Sequence, residues 1–70
     1  MIEIDYSKLR GKIKELFKTE ENFANALGIS RPTLSAIFNN KARFSQESIL
    51  KAVEILKIPE NEVFTYFFKS

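Results

Sequence analysis

The four residues Leu27-Gly28-Ile29-Ser30 constrain this chain more than any other stretch, because they end one short helix and begin another within a single turn. Phe23, Ala24 and Leu27 fall on one helical face before the turn, and Leu34, Ile37 and Phe38 fall on one face after it. Gly28 can take the left-handed conformation that terminates a helix at little steric cost. Ile29 can then drop its side chain between the two apolar faces. Ser30 suits the next N-cap, and Pro32 sits in the first turn that follows, where a missing amide hydrogen costs least. Ala24, four positions before the glycine, allows the two helices to cross closely. Together these spacings are those of a helix-turn-helix motif.

That motif needs a surface that tolerates phosphate if it is to meet DNA, and the charge distribution provides one. The chain of 70 residues carries a net charge of only +2, but from Asn22 to Gln46 there is no acidic residue, while Arg31, Lys41 and Arg43 all fall in that window. Carboxylates there would be repelled by a duplex.

Here the residues resemble a known family. The stretch 21–41 is similar to the DNA-binding domain of lambdoid phage repressors and Cro proteins. The flanking pieces Tyr6-Ser7-Lys8-Leu9-Arg10-Gly11-Lys12-Ile13 and Tyr66-Phe67-Phe68 resemble small Cro-like regulators of Gram-positive phages. The likeness covers nearly the whole chain. It implies an all-α, compact five-helix fold, with residues 1–70 as a single helix-turn-helix domain whose third helix enters the major groove.

Residues before and after the turn fit five helices on their own patterning. Helix one is expected from a cap at Ser7 to about Phe17, with Leu9, Ile13, Leu16 and Phe17 as its buried stripe and Lys8, Arg10, Lys12 and Lys14 on the other face. Gly11 within it suggests a close helix contact. Thr19 is the expected cap of helix two, with Glu20 and Glu21 suited to its dipole. Helix three runs from Arg31 to about Phe38. Ser45 caps helix four, Gln46 to about Leu56, with a stripe of Ile49, Val53 and Leu56 and with Leu50 and Ala52 beside it. After Lys57-Ile58-Pro59 a last short helix is expected from Glu60 to about Phe67.

Projecting helix three at about 100° per residue places Pro32, Thr33, Ser35, Ala36 and Asn39 away from the core, with Arg31 at the N-terminus. This is the groove face if the motif reads DNA. Arg31 is the best candidate for base readout, as the bidentate partner of guanine O6 and N7. Thr33 and Ser35 can hydrogen-bond, and Pro32 and Ala36 can meet a thymine methyl. Candidate phosphate contacts are Thr19, Asn22, Ser30, Asn39, Asn40, Lys41, Arg43 and Gln46, the last at a helix N-terminus whose amides suit an anion. Asn40 stands where the family commonly has glycine, and Lys41 and Arg43 are placed like its backbone clamps. The sequence departs from the family at Glu20, where a neutral amide often clamps a phosphate. It departs again at Ile13 and Phe38, which replace a buried arginine–glutamate pair with apolar groups.

Val63, Phe64, Tyr66, Phe67 and Phe68 put five large apolar groups into six positions, too many for one narrow stripe, and Phe64, Tyr66, Phe67 and Phe68 are the candidates for a further contact. Either they wrap the small core, with Ile2, Ile4 and Tyr6 folding across them, or they form a homodimer contact that spaces two recognition helices about 34 Å apart. The alternation Ile2-Glu3-Ile4-Asp5-Tyr6 also allows a short strand pairing with its symmetry mate.

With no histidine, no cysteine and only Gly11 and Gly28 as glycines, the chain has no thiolate site, no phosphate loop and no paired catalytic groups. No enzyme activity, cofactor, metal or small-molecule ligand is expected. No run reaches the roughly 18 apolar residues of a membrane span, so a cytoplasmic protein is expected. The leading expectation is a Cro-like transcriptional regulator, a homodimer on a palindromic double-stranded DNA operator. The alternative is a protein-interaction module of the same fold, antirepressor-like, whose helix three has lost DNA readout.

Overall fold

Helix ends set by local chemistry position everything else in this chain. In the computed structural model, which describes residues 3–69, α1 spans Ser7–Phe17, α2 Glu20–Leu27, α3 Arg31–Phe38, α4 Gln46–Leu56 and α5 Val63–Phe67, with a single 3-10 turn at Glu60–Glu62 leading into α5. The fold is all-helical, with no strand among the described residues.

Each of α2, α3 and α4 starts on a hydroxyl cap. Thr19 accepts from the Asn22 amide, Ser30 from Thr33 and Ser45 from Ser48, satisfying donors that a helix start leaves unpaired. The same helices end alike. Gly28, Asn40 and Lys57 each adopt a left-handed φ, of 79°, 61° and 55°. At each end the following amide reaches five residues back: Ile29 to the Ala24 carbonyl (3.0 Å), Lys41 to Ala36 (2.9 Å) and Ile58 to Val53 (3.0 Å). These are Schellman-type closures, for which Gly and then Asn are the cheapest residues.

Four details differ from the sequence expectation. Ser7 is the first residue of α1 rather than its cap; Asp5 does the capping, its Oδ1 accepting from the Ser7 amide (2.9 Å) and hydroxyl (2.5 Å). Those two bonds hold the Asp5 carboxyl below its ordinary range. Gly11 makes no close helix contact, since a Cβ there would meet nothing within 4 Å. Leu16 and Leu50, placed in or beside buried stripes, are 47% and 62% exposed. The expected last helix is split, its first turn being the 3-10 segment.

The core is one cluster. α1 contributes Leu9 and Ile13, α2 Phe23, Ala24 and Leu27, and α3 Leu34, Ile37 and Phe38; Ala52, Leu56, Ile58, Tyr66 and Phe67 close it from the other side. α1 packs on α2, α4 and α5, and α2 packs on α3 and α4. Ile13 and Phe38 are both buried here, so the apolar replacement for an ion pair is part of the core.

Aromatic rings tie the chain's flanks to this core. Phe44, in the loop after α3, lies 5.8 Å from Tyr6, 6.3 Å from Phe38 and 5.5 Å from Phe67, all edge-on. Such pairs add about 0.5–1.5 kcal/mol each beyond area burial. Burial also raises the Tyr6 phenol above its ordinary pKa, with the Arg43 charge pulling the other way. Asn40 clasps the segment before α1: its Oδ1 accepts from the Ile4 amide (2.8 Å) and its Nδ2 donates to the Ile4 carbonyl (3.0 Å). Asp5 in turn donates to the Lys69 carbonyl at 2.6 Å. With both Ile4 backbone groups used inside the chain, the described part of the alternating segment is not a free strand edge; Ile2 lies outside the described residues.

Candidate interaction face around α2 and α3

The first turn of α2 carries the residue that organises this face. Glu20, 20% exposed, points its two carboxylate oxygens at two neighbouring helices: Oε2 accepts from Arg10 Nε of α1 at 2.9 Å, and Oε1 lies 3.3 Å from Arg31 Nη2 of α3. Arg31, the expected base reader, is therefore held against a carboxylate. Arg10 is held on a second side, with its guanidinium carbon 5.2 Å from the Phe38 ring centroid.

The other expected groove-face groups are bonded close to home. The Ser30 and Thr33 hydroxyls are 2.8 Å apart. Asn39 donates to the Ser35 carbonyl at 2.9 Å and lies 3.5 Å from its hydroxyl. Pro32 and Thr33 are exposed, whereas Ser35 and Ala36 are half-buried. The face is shallow, with Arg31 as its one long side chain.

Among the expected phosphate contacts, several also have partners. Asn22 donates from Nδ2 to the Phe17 carbonyl at 2.8 Å while Thr19 caps its amide. Asn40 is committed to Ile4. Arg43 donates to Asn40 Oδ1 (3.3 Å) and to the Ala42 carbonyl (3.4 Å). Lys41 and Gln46 are exposed. The basic face of α1 is likewise partly paired, Lys8 with Glu62 at 3.5 Å and over the Tyr66 ring, and Lys12 with Glu15 at 3.6 Å.

The aromatic tail divides. Tyr66 and Phe67 are buried in the core at 7% and 1% exposure, whereas Phe64 and Phe68 are 69% and 45% exposed and stack against each other at 6.0 Å. The expected dimer set is thus reduced to the latter two. Sequence reasoning missed the bridging role of Glu20, which was read as a helix-dipole residue. Its signal was the placement of an arginine on each flanking helix, but only the packing of both α1 and α3 against α2 brings both to one carboxylate.

Comparison with known proteins adds three findings. A family model described as "Protein of unknown function (DUF739)" matches residues 2–70. The solution structure of the modulator of repression (MOR) of the temperate bacteriophage TP901-1 from Lactococcus lactis is similar, with a TM-score of 0.79 and 43% sequence identity over 93% of this chain and 88% of that one. No curated protein matches.

Proposed function

The chain belongs to the DUF739 family, and on that premise we propose that it is a phage-type regulatory protein that modulates repression by binding another protein. The observation that carries this reading is the Arg10–Glu20–Arg31 bridge. A recognition helix approaches DNA with its N-terminus and with the first turn of the preceding helix. Here that approach meets a carboxylate, and Arg31, the long side chain of the groove face, is drawn against it. The similarity to a modulator of repression supports the same reading. Phe64 and Phe68, Leu50 and Leu16 supply exposed apolar surface of the kind protein partners cover. No described helix is long and apolar enough to cross a membrane.

Operator binding is the second reading. It is favoured by the acid-free window from Asn22 to Gln46 with Arg31, Lys41 and Arg43 inside it. In that case Arg31→Ala lowers affinity by about 1–3 kcal/mol at one operator position, while Lys41→Ala weakens all duplexes alike.

One experiment separates the two. A repressor from the same genome is bound to fluorescently labelled operator, the chain is titrated in, and anisotropy is followed at two salt concentrations, with labelled operator alone as the parallel arm. A change in the repressor complex with none in the naked operator is expected. A specific, saturable shift of naked operator with no effect on the repressor would overturn the proposal in favour of the second reading. Glu20→Gln sharpens the result, because freeing Arg31 and Arg10 should strengthen non-specific duplex binding by roughly tenfold or less, about 1.4 kcal/mol at most.

A further inference from the structure

The junction of α1 and α2 holds a cleft of about 340 Å³ lined by Arg10, Gly11, Ile13, Lys14, Lys18 and Glu20. Three features of it are not explained by packing. Gly11 lies mid-helix, where glycine is disfavoured, yet a Cβ there would meet nothing within 4 Å. Its missing side chain leaves the cleft open rather than admitting a neighbour. Lys18 stands at φ 73°, ψ −44°, and the Thr19 amide bonds back to the Phe17 carbonyl at 2.8 Å across it. That is a γ-turn of the strained hand, uncommon for any residue with a side chain. Finally, the exposed Lys14 and Lys18 form no ion pair among the described residues, whereas the other basic residues of α1, Lys8, Arg10 and Lys12, all do.

We infer that this cleft receives an aspartate or glutamate side chain from the protein partner, with Lys14 and Lys18 holding the carboxylate. The inference rests on the protein-binding reading proposed above. Three cations face one carboxylate in the lining, so the cleft keeps a net attraction for an anion after Glu20 is counted. Its wall on the α1 side is the bare backbone of Gly11, which leaves room for the methylenes of an acidic side chain. A duplex phosphate arrives with charged neighbours on a stiff backbone, and these would be driven against Glu20 and Glu21. A single carboxylate on a short stem avoids that repulsion and can take charge-assisted hydrogen bonds from both ammonium groups.

The test is a nitrogen-15 NMR titration of the full chain with a capped peptide bearing a single glutamate, its glutamine counterpart, inorganic phosphate and a short DNA duplex. The glutamate peptide should move the amides of Gly11, Lys14 and Lys18, and the glutamine peptide should bind at least about tenfold more weakly. Gly11→Leu, which fills the cleft at an uncrowded position, and Lys14→Gln with Lys18→Gln should each abolish the shifts while the rest of the spectrum stays that of the folded chain. Equal binding of the glutamine peptide, tighter binding of phosphate or duplex at the same amides, or unchanged binding by both variants would overturn the inference. The repressor titration keeps the two readings apart. A wild-type effect on the repressor that survives in the lysine double variant removes the cleft and leaves the function standing. Carboxylate binding in the cleft without any effect on the repressor does the reverse.

Discussion

The turn between α2 and α3 and the turn between α1 and α2 are neighbours in sequence and opposite in character. At Gly28 the chain closes on itself: a left-handed glycine, a Schellman closure, a serine cap and two apolar faces that meet. At Lys18 a residue with a long charged side chain holds a positive φ, the cleft beside it is open, and the ammonium groups of Lys14 and Lys18 form no ion pair among the described residues. The first turn is resolved by folding alone. The second keeps unspent charge and strain, which is where binding surfaces are expected. The part of the chain that looks most like a DNA reader is therefore the more self-contained of the two.

Truncating the shared core tests whether both turns belong to one cooperative unit. Phe23→Ala, at a fully buried position of α2 between them, should destabilise by about 3–5 kcal/mol, and a single urea transition seen by both circular dichroism and NMR would show common unfolding. A second, smaller effect is expected from Asn40→Ala, which removes both hydrogen bonds to Ile4 and places alanine at a left-handed φ. The loss should be about 1–3 kcal/mol, and Asn40→Gly should recover only the conformational share of it.

The sharpest contrast comes from exchanging glycine across the two turns. Gly28→Ala should cost about 1 kcal/mol, because alanine resists φ 79°, whereas Lys18→Gly should gain a similar amount by relieving φ 73°. If both changes destabilise, the Lys18 turn is not strained and the comparison fails. Gly11→Ala should also raise stability by about 1 kcal/mol, since helix propensity improves and nothing is displaced. The smallest effect concerns Asp5. Its folded pKa is depressed, so its contribution is present above the unfolded value near 4 and lost as pH falls through the lower folded value. Asp5→Ala should therefore lower the melting temperature slightly at neutral pH and flatten the acid limb of the stability curve.

How much of this was legible beforehand depended on whether the cause was local. The bounds of α2, α3 and α4 follow from Thr19, Gly28, Ser30, Asn40 and Ser45, each acting within four or five residues of itself. Leu16 and Leu50 lie exposed: periodicity locates a stripe but not which edge of it the neighbouring helices cover. Ser7 has the hydroxyl of a typical cap, but that hydroxyl is a donor here: it and the Ser7 amide both bond to Asp5 Oδ1, which starts the helix one residue earlier. The bridge through Glu20 was beyond reach for a different reason. It spans residues 10, 20 and 31, and it exists only once three helices have taken their crossing angles.

The aromatic cluster around Phe44 has an optical consequence. The chain contains no tryptophan and only two tyrosines, Tyr6 and Tyr66. Both are buried, the first among phenylalanine rings and the second beneath the Lys8 ammonium. Tyrosine emission and tyrosine ellipticity therefore come wholly from the interior. A ligand settling at Lys14 and Lys18 should leave those signals still, and a loosening of the core should not, so occupancy and unfolding can be told apart in one cuvette without a label.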